Sequence, residues 1–242
     1  MRSRENYIPI LPPLNAEVMP FKEAHRVLEL YPSLSIRDKL AILARLVFCT
    51  RPIMTVLDQY LPRHGLILDP GCGYGIISHL VSSACPERRV TGVDASSRRI
   101  EVAKSSVNSR KNLEFHAADI MSFRIPHCNA IMMIDILQML PHSEQEKLLI
   151  RCHERLCDGG VVIIKDNCKS PLWKYVYTCI EEAIKVKLGV YGKEFKGCSL
   201  HCWDTQEFLK LLSSIGFDAA MITLRSHFPY PGVFYVCRKP AR

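Results

Sequence analysis

A chain of 242 residues, 48% hydrophobic and 23% charged, carries enough apolar material for one large domain and is not composed like a disordered segment. Its 11 cysteines, odd in number and set mostly in apolar runs, exclude a small disulfide scaffold and read as reduced thiols of a cytoplasmic protein. The net charge of +8 is mild, and its densest cluster (Lys185, Lys187, Lys193, Lys196) falls short of the continuous basic stripe that nucleic acid would require.

The first twenty residues, with Pro9, Pro12, Pro13 and Pro20, read as an extended arm, and these prolines break up the apolar stretch that a secretory signal would need. From Ile36 the pattern turns helical, with Leu40, Leu43 and Val47 on one face beside Ile42 and Leu46. A second helix is expected over 51–60, closed by Pro62 and Gly65. Residues 1–64 are thus expected to form an arm and helices, and 65–242 the main domain. There, strands are predicted at 66–68, 90–93, 113–117, 130–134 and 161–164, alternating with helices. The helices are predicted over 76–84, from Ser96 as N-cap to about Val107, and from a Ser143/Glu146 capping box to about Cys157. Ser170-Pro171 opens another helix and Asp204 caps the last, which Gly216 closes. The strands at 219–224 and 233–237 are too close for an intervening helix, so they pair antiparallel on an otherwise parallel sheet. No apolar run is long enough to span a bilayer; 130–140, the most apolar, is too short and carries a charge.

Chemistry concentrates where the first strand of the main domain meets its helix, at Asp69-Pro70-Gly71-Cys72-Gly73-Tyr74-Gly75. An open α/β sheet binds nucleotide-like ligands at such a turn. Asp94 ends the next strand, where a carboxylate accepts from both ribose hydroxyls. Asp69 would oppose a pyrophosphate but suits a positively charged amino-acid end. Ile76 stands where a dinucleotide fingerprint has its third glycine, and the lysine and Ser/Thr of a phosphate-binding loop are missing. The pattern favours an adenosine ligand without phosphates.

In that order, the Asp69 to Gly75 turn, Val93-Asp94, Ala118-Asp119-Ile120, Ile134-Asp135 and Leu156-Cys157-Asp158-Gly159-Gly160 resemble the successive motifs of class I S-adenosylmethionine-dependent methyltransferases. The resemblance implies a Rossmann-like α/β fold: seven strands, mostly parallel with the last antiparallel, helices on both faces, and here an N-terminal helical appendage. It implies S-adenosylmethionine as cofactor. The turn with Asp69, Gly71, Cys72, Gly73 and Gly75 would pass the methionine part, Asp94 with Ala95 would hold the ribose, and Asp119 with Ile120 would lie by the adenine. Ile134 and Asp135 would sit at the methionine end, facing the acceptor. Pro70 departs from the usual small or aliphatic residue.

The acceptor expected from this layout is a small molecule, acyl or aromatic. An RNA or protein methyltransferase, or a non-catalytic cofactor-binding module, is the alternative. His142, His201 and His227 are candidate bases, none singled out by position. Asp135 with Asp166-Asn167 is similar to the magnesium site of catechol-type O-methyltransferases, but isolated strand-end carboxylates are common and no metal is expected. The segment 1–51 is a candidate lid over the acceptor side, or a helix packed on the sheet's flank.

Overall fold

The computed structural model describes residues 10–15, 21–32, 34–107, 110–167, 169, 173, 176, 180, 200–225 and 232–241. The Lys185–Lys196 cluster, His227 and most of the helix expected at Ser170-Pro171 lie outside the described residues.

Among the described residues, eight strands form one sheet. They are β1 (Ile10–Asn15), β2 (Gly65–Pro70), β3 (Arg88–Asp94), β4 (Leu113–Ala117), β5 (Cys128–Ile134), β6 (Leu156–Asn167), β7 (Asp218–Arg225) and β8 (Gly232–Arg238), in the order β1-β7-β8-β6-β5-β2-β3-β4. The seven expected strands are all present, and β8 lies antiparallel between β6 and β7. The eighth is the surprise. The proline-rich arm pairs parallel with β7 at the sheet's edge, with a register shift between Leu11 and Leu14. Pro12 and Pro13 fall in that shift; proline gives up a ladder hydrogen bond, which only an edge or a bulge tolerates.

Helices cover both faces. On one side pack α3 (Arg51–Tyr60), α4 (Ile76–Ala84) and α5 (Ser97–Ser105), burying Ile53, Val56, Val81, Ile100 and Ala103 against Ile67, Val90, Met132 and Ile163. On the other, α6 (His142–Arg155) and α7 (Thr205–Ile215) bury Leu148, Leu149, Phe208 and Leu212 against Leu68, Ile131, Met133 and Ile164. β5 is central and buried on both faces, which explains its uninterrupted apolar run. Burying a side chain the size of leucine or isoleucine contributes about 2 kcal/mol, so these two layers supply most of the driving force.

The N-terminal helices α1 (Phe21–Glu29) and α2 (Ile36–Arg45) form a third, smaller cluster in which Tyr31, Leu34, Ile42 and Leu46 pack on Tyr74, Ile76, Leu80 and Val102. Ser35 caps α2 by accepting from Asp38 N at 3.1 Å. A π-helical turn, Leu46–Thr50, leads from α2 into α3, whose Pro52 sits in the first turn, where no N–H is needed.

Three local expectations change. The Ser143/Glu146 box does not form: the N-cap is Pro141, two residues earlier, and it makes no side-chain cap. Ser96 occupies the N-cap position of α5 but makes no side-chain cap; its amide instead reaches the Asp94 carboxylate. The helix expected to run to Cys157 stops at Arg155, and 156–160 begin β6, with Gly159 N donating to Lys239 O. Asp204 does cap α7, taking the amides of Gln206 and Glu207, and Gly216 closes it at φ +110°.

Candidate functional site

The motif residues of the 69–75 turn, Asp94, Asp119 and Ile134–Asp135 reach the carboxyl edge of the sheet, held there by a short-range network, whereas 156–160 begin β6 at the opposite edge. The 71–75 turn hangs from β3: Gly71 N and Cys72 N both donate to Val93 O, at 2.7 and 3.1 Å. Gly71, Gly73 and Gly75 all have positive φ. At Gly75 the reason is crowding as well as conformation, because an added Cβ would lie 2.2 Å from the Phe115 ring. Gly73 differs: a Cβ there would meet no atom within 4 Å, so the turn is open on that side and its backbone can be approached.

Asp94 is buried at the tip of β3. Its Oδ2 accepts from Gly73 N and its Oδ1 from Ser96 N, both at 2.9 Å. One carboxylate thus locks the β2–α4 turn to the start of α5. Each oxygen keeps a second lone pair for a ligand. Asp69 is also buried and accepts from Ser78 Oγ at 2.5 Å, bracing the strand end against α4. Burial, then the Asp69 and Asp94 carboxylates, push the Cys72 thiol well above its usual range, so it stays protonated and is no nucleophile. Ala95 is exposed beside it.

The Asp119 loop is tied to the same edge by Ala118 N donating to Asp94 O at 3.0 Å. Asp119 is exposed and folds its own loop, Oδ1 accepting from Met121 N at 2.9 Å. Ile120 turns its side chain into the core. From α6, Arg151 spans the loop and donates to the carbonyls of Ile120, Met121 and Phe123. No motif pointed to Arg151; an arginine on a helix has no visible partner until the chain is folded.

At the end of β5, Ile134 is buried and Asp135 adopts φ +59°, a left-handed conformation uncommon outside glycine and often a functional mark. Asp135 N donates to Lys165 O at 2.8 Å, and Lys165 Nζ pairs with the Asp135 carboxylate. The next residue, Ile136, fills the place where Gly71 would carry a Cβ. Lys165 was not foreseen, because its partner lies thirty positions away.

The donors once comparable to a magnesium site are otherwise engaged. Asp135 holds Lys165, Asp166 Oδ2 accepts from Gln138 N at 2.8 Å, and Asn167 Nδ2 donates to Gln138 Oε1 at 2.9 Å. Among the described residues no group of three His, Cys, Asp or Glu could hold a metal ion. Of the candidate bases, His142 stacks on Trp203 with centroids 4.1 Å apart and stands edge-on to His201. Trp203 donates to Gln145 Oε1 at 2.6 Å. No helix among the described residues is long and apolar enough to cross a membrane.

Residues 67–160 match the family model described as a methyltransferase domain. Over 140 residues the chain is 25% identical to a carboxy-S-adenosyl-L-methionine synthase of Campylobacter curvus (57% of this chain, 60% of the relative). It is 29% identical, also over 140 residues, to a trans-aconitate 2-methyltransferase of Variovorax paradoxus (55% and 52%). The chain thus spans 60% or less of the length of these curated relatives. The fold is shared with magnesium protoporphyrin IX methyltransferase of Synechocystis PCC 6803 with bound SAH, at TM-score 0.61 and 16% identity over 90% of this chain and 94% of that one. The matched segment is a methyltransferase domain, and the findings together support a class I S-adenosylmethionine-dependent methyltransferase. The family's cofactor fits the residues present: an open glycine at the turn and a fixed carboxylate at the second strand's end.

Proposed function

We propose that the protein transfers a methyl group from S-adenosylmethionine to a small-molecule acceptor, acyl or aromatic, in the cytoplasm. The observation that carries this reading is the Asp94 carboxylate, held by the amides of Gly73 and Ser96 beside the open face of Gly73. A carboxylate so fixed is preorganised for two ribose hydroxyls, and no pyrophosphate would tolerate Asp69 nearby. The acceptor class is supported by the relative acting on trans-aconitate.

When bound, the cofactor supplies a methyl on a sulfonium, already activated and with a neutral leaving group. The protein's work is alignment and the exclusion of water. Asp94 would hold the ribose, the 71–75 backbone the methionine part, and the Asp119–Ile120 loop the adenine, kept in place by Arg151. Asp135, locked by Lys165, would border the acceptor. The α1–α2 cluster on Tyr74 would serve as the cover, with Asp38 salt-bridged to Arg98 of α5 at 3.4 Å.

Titration calorimetry tests this. S-adenosylhomocysteine should bind, with NAD and ATP giving no comparable heat, and Asp94→Ala should weaken binding about 100-fold, ~2.7 kcal/mol, by removing charge-assisted bonds. Binding of NAD without S-adenosylhomocysteine would overturn the reading. Labelled methyl should enter the small-molecule fraction of an extract; label confined to RNA or protein would move the acceptor to those classes.

A further inference from the structure

On the face covered by α6 and α7, just behind the ends of β5 and β6, lies a cavity of about 10 Å³. That is room for about one water-sized group. Its walls include Leu137, Trp203, Phe208 and Tyr235, and one wall is Asp166. Asp166 is only 7% exposed. Its Oδ2 accepts from Gln138 N, but its Oδ1 has no hydrogen-bond partner. A buried polar atom left unpaired costs about 1–3 kcal/mol, so such an atom calls for a reason. Lys165 does not relieve it, since successive residues of a strand face opposite ways and Lys165 is spent on Asp135. Asn167 does not either, its amide being given to Gln138.

The position gives the reason. Gln138, whose backbone amide anchors Asp166, follows Asp135 by three residues in the segment that also carries Ile136, the residue seated on Gly71. Asp166 therefore lies on the acceptor side of the cofactor turn, at the strand ends where an open α/β sheet binds its ligands.

We infer that Asp166 is a specificity-determining residue of the acceptor site, its open Oδ1 taking one carbonyl or carboxylate oxygen of the methyl acceptor in this cavity. The inference rests on the methyltransferase reading above. Burial, and then the neighbouring Asp135, push the Asp166 carboxyl well above the usual carboxylate range, which favours its protonated form. The Gln138 amide takes the carbonyl-like Oδ2, which leaves the proton on Oδ1 as a donor aimed at a lone pair. An ammonium or guanidinium offers only further donors and is refused; a single oxygen matches the room available.

The test uses the full chain saturated with S-adenosylhomocysteine, with trans-aconitate and benzoate as oxygen probes and benzylamine as the cationic control. At least one oxygen probe should bind and benzylamine should not. Asp166→Asn, which keeps an acceptor for Gln138 and an N–H donor for the cavity, should hold the probe within about threefold, whereas Asp166→Val should lose about tenfold or more. S-adenosylhomocysteine should bind all three proteins alike, which separates a lost subsite from a lost fold. A protonated carboxyl band in the infrared spectrum, missing from Asp166→Asn, should report the acid directly. Probe binding unchanged in Asp166→Val, equal losses in the Asn and Val variants, no oxygen probe bound, or no such band would overturn the inference. Failure of S-adenosylhomocysteine to bind the wild type would instead strike the methyltransferase reading itself, and the inference with it.

Discussion

The two halves of the candidate site are built differently. The half proposed to hold the cofactor, from β2 to β4, is made of backbone: amides of Gly71, Cys72, Gly73 and Ser96 meet the Val93 carbonyl and the Asp94 carboxylate, all within about one βαβ unit. The half proposed to face the acceptor, at the ends of β5 and β6, is made of side chains from distant parts of the chain: Lys165 on Asp135, Gln138 on Asn167, Trp203 on Gln145. Backbone turns specify one ligand shape and tolerate little change. Side-chain pairs can be exchanged one at a time, which suits the half that must match a particular acceptor.

If the acceptor half depends on its long-range pairs, breaking the partly buried Lys165–Asp135 bridge should have the largest effect. Lys165→Met should cost about 3 kcal/mol of stability, because it leaves the Asp135 carboxylate without its cation. Adding Asp135→Asn should recover part of that loss in urea unfolding, while affinity for S-adenosylhomocysteine stays within a few fold. A null result for Lys165→Met would make the bridge ornamental and erase the contrast between the halves.

The cofactor half has its own weak point, in α4. His79 Nε2 lies 2.7 Å from Ser106 Oγ, whose own proton goes to Ala103 O, so His79 is the donor and its buried Nδ1 is left without a partner. Burial, and then Arg110, push the imidazole down to about 4. The unfolded chain takes up a proton near the usual value of about 6.5 while the folded chain does not. Its contribution is therefore complete above pH ~6.5 and is lost as pH falls toward 4, on the order of 2–3 kcal/mol. His79→Gln should flatten unfolding free energy over that window. An equally steep profile in the variant would show that other groups carry the acid sensitivity.

The smallest effects separate two caps that look alike on paper. Asp204→Ala should cost about 1 kcal/mol because its carboxylate holds two amides of α7. Ser143→Ala should cost under ~0.3 kcal/mol, since Ser143 lies inside α6 and caps nothing. Thermal unfolding of the pair resolves the difference.

The alternation of apolar strands with helices, the glycine turn, Asp94 and the antiparallel end of the sheet were all readable in the chain, because each depends on neighbours a few residues away or on a repeating period. Proline spacing likewise marked the arm as extended. What it could not say was where the arm goes: an extended segment with two prolines needs an edge, and only the folded sheet offers β7. Ser143 with Glu146 fits the capping pattern, yet the approach of the chain through Pro141 started the helix elsewhere. Lys165, Arg151 and Gln138 carry no local signature at all. Their roles rest on partners about thirty residues away, brought near by parallel crossovers that sequence spacing does not encode. Asp166 shows the limit most plainly. Its residue type and strand-end place were visible, but whether it would be solvated or buried beside a cavity was decided by the aromatic walls that α7 and β8 pack around it.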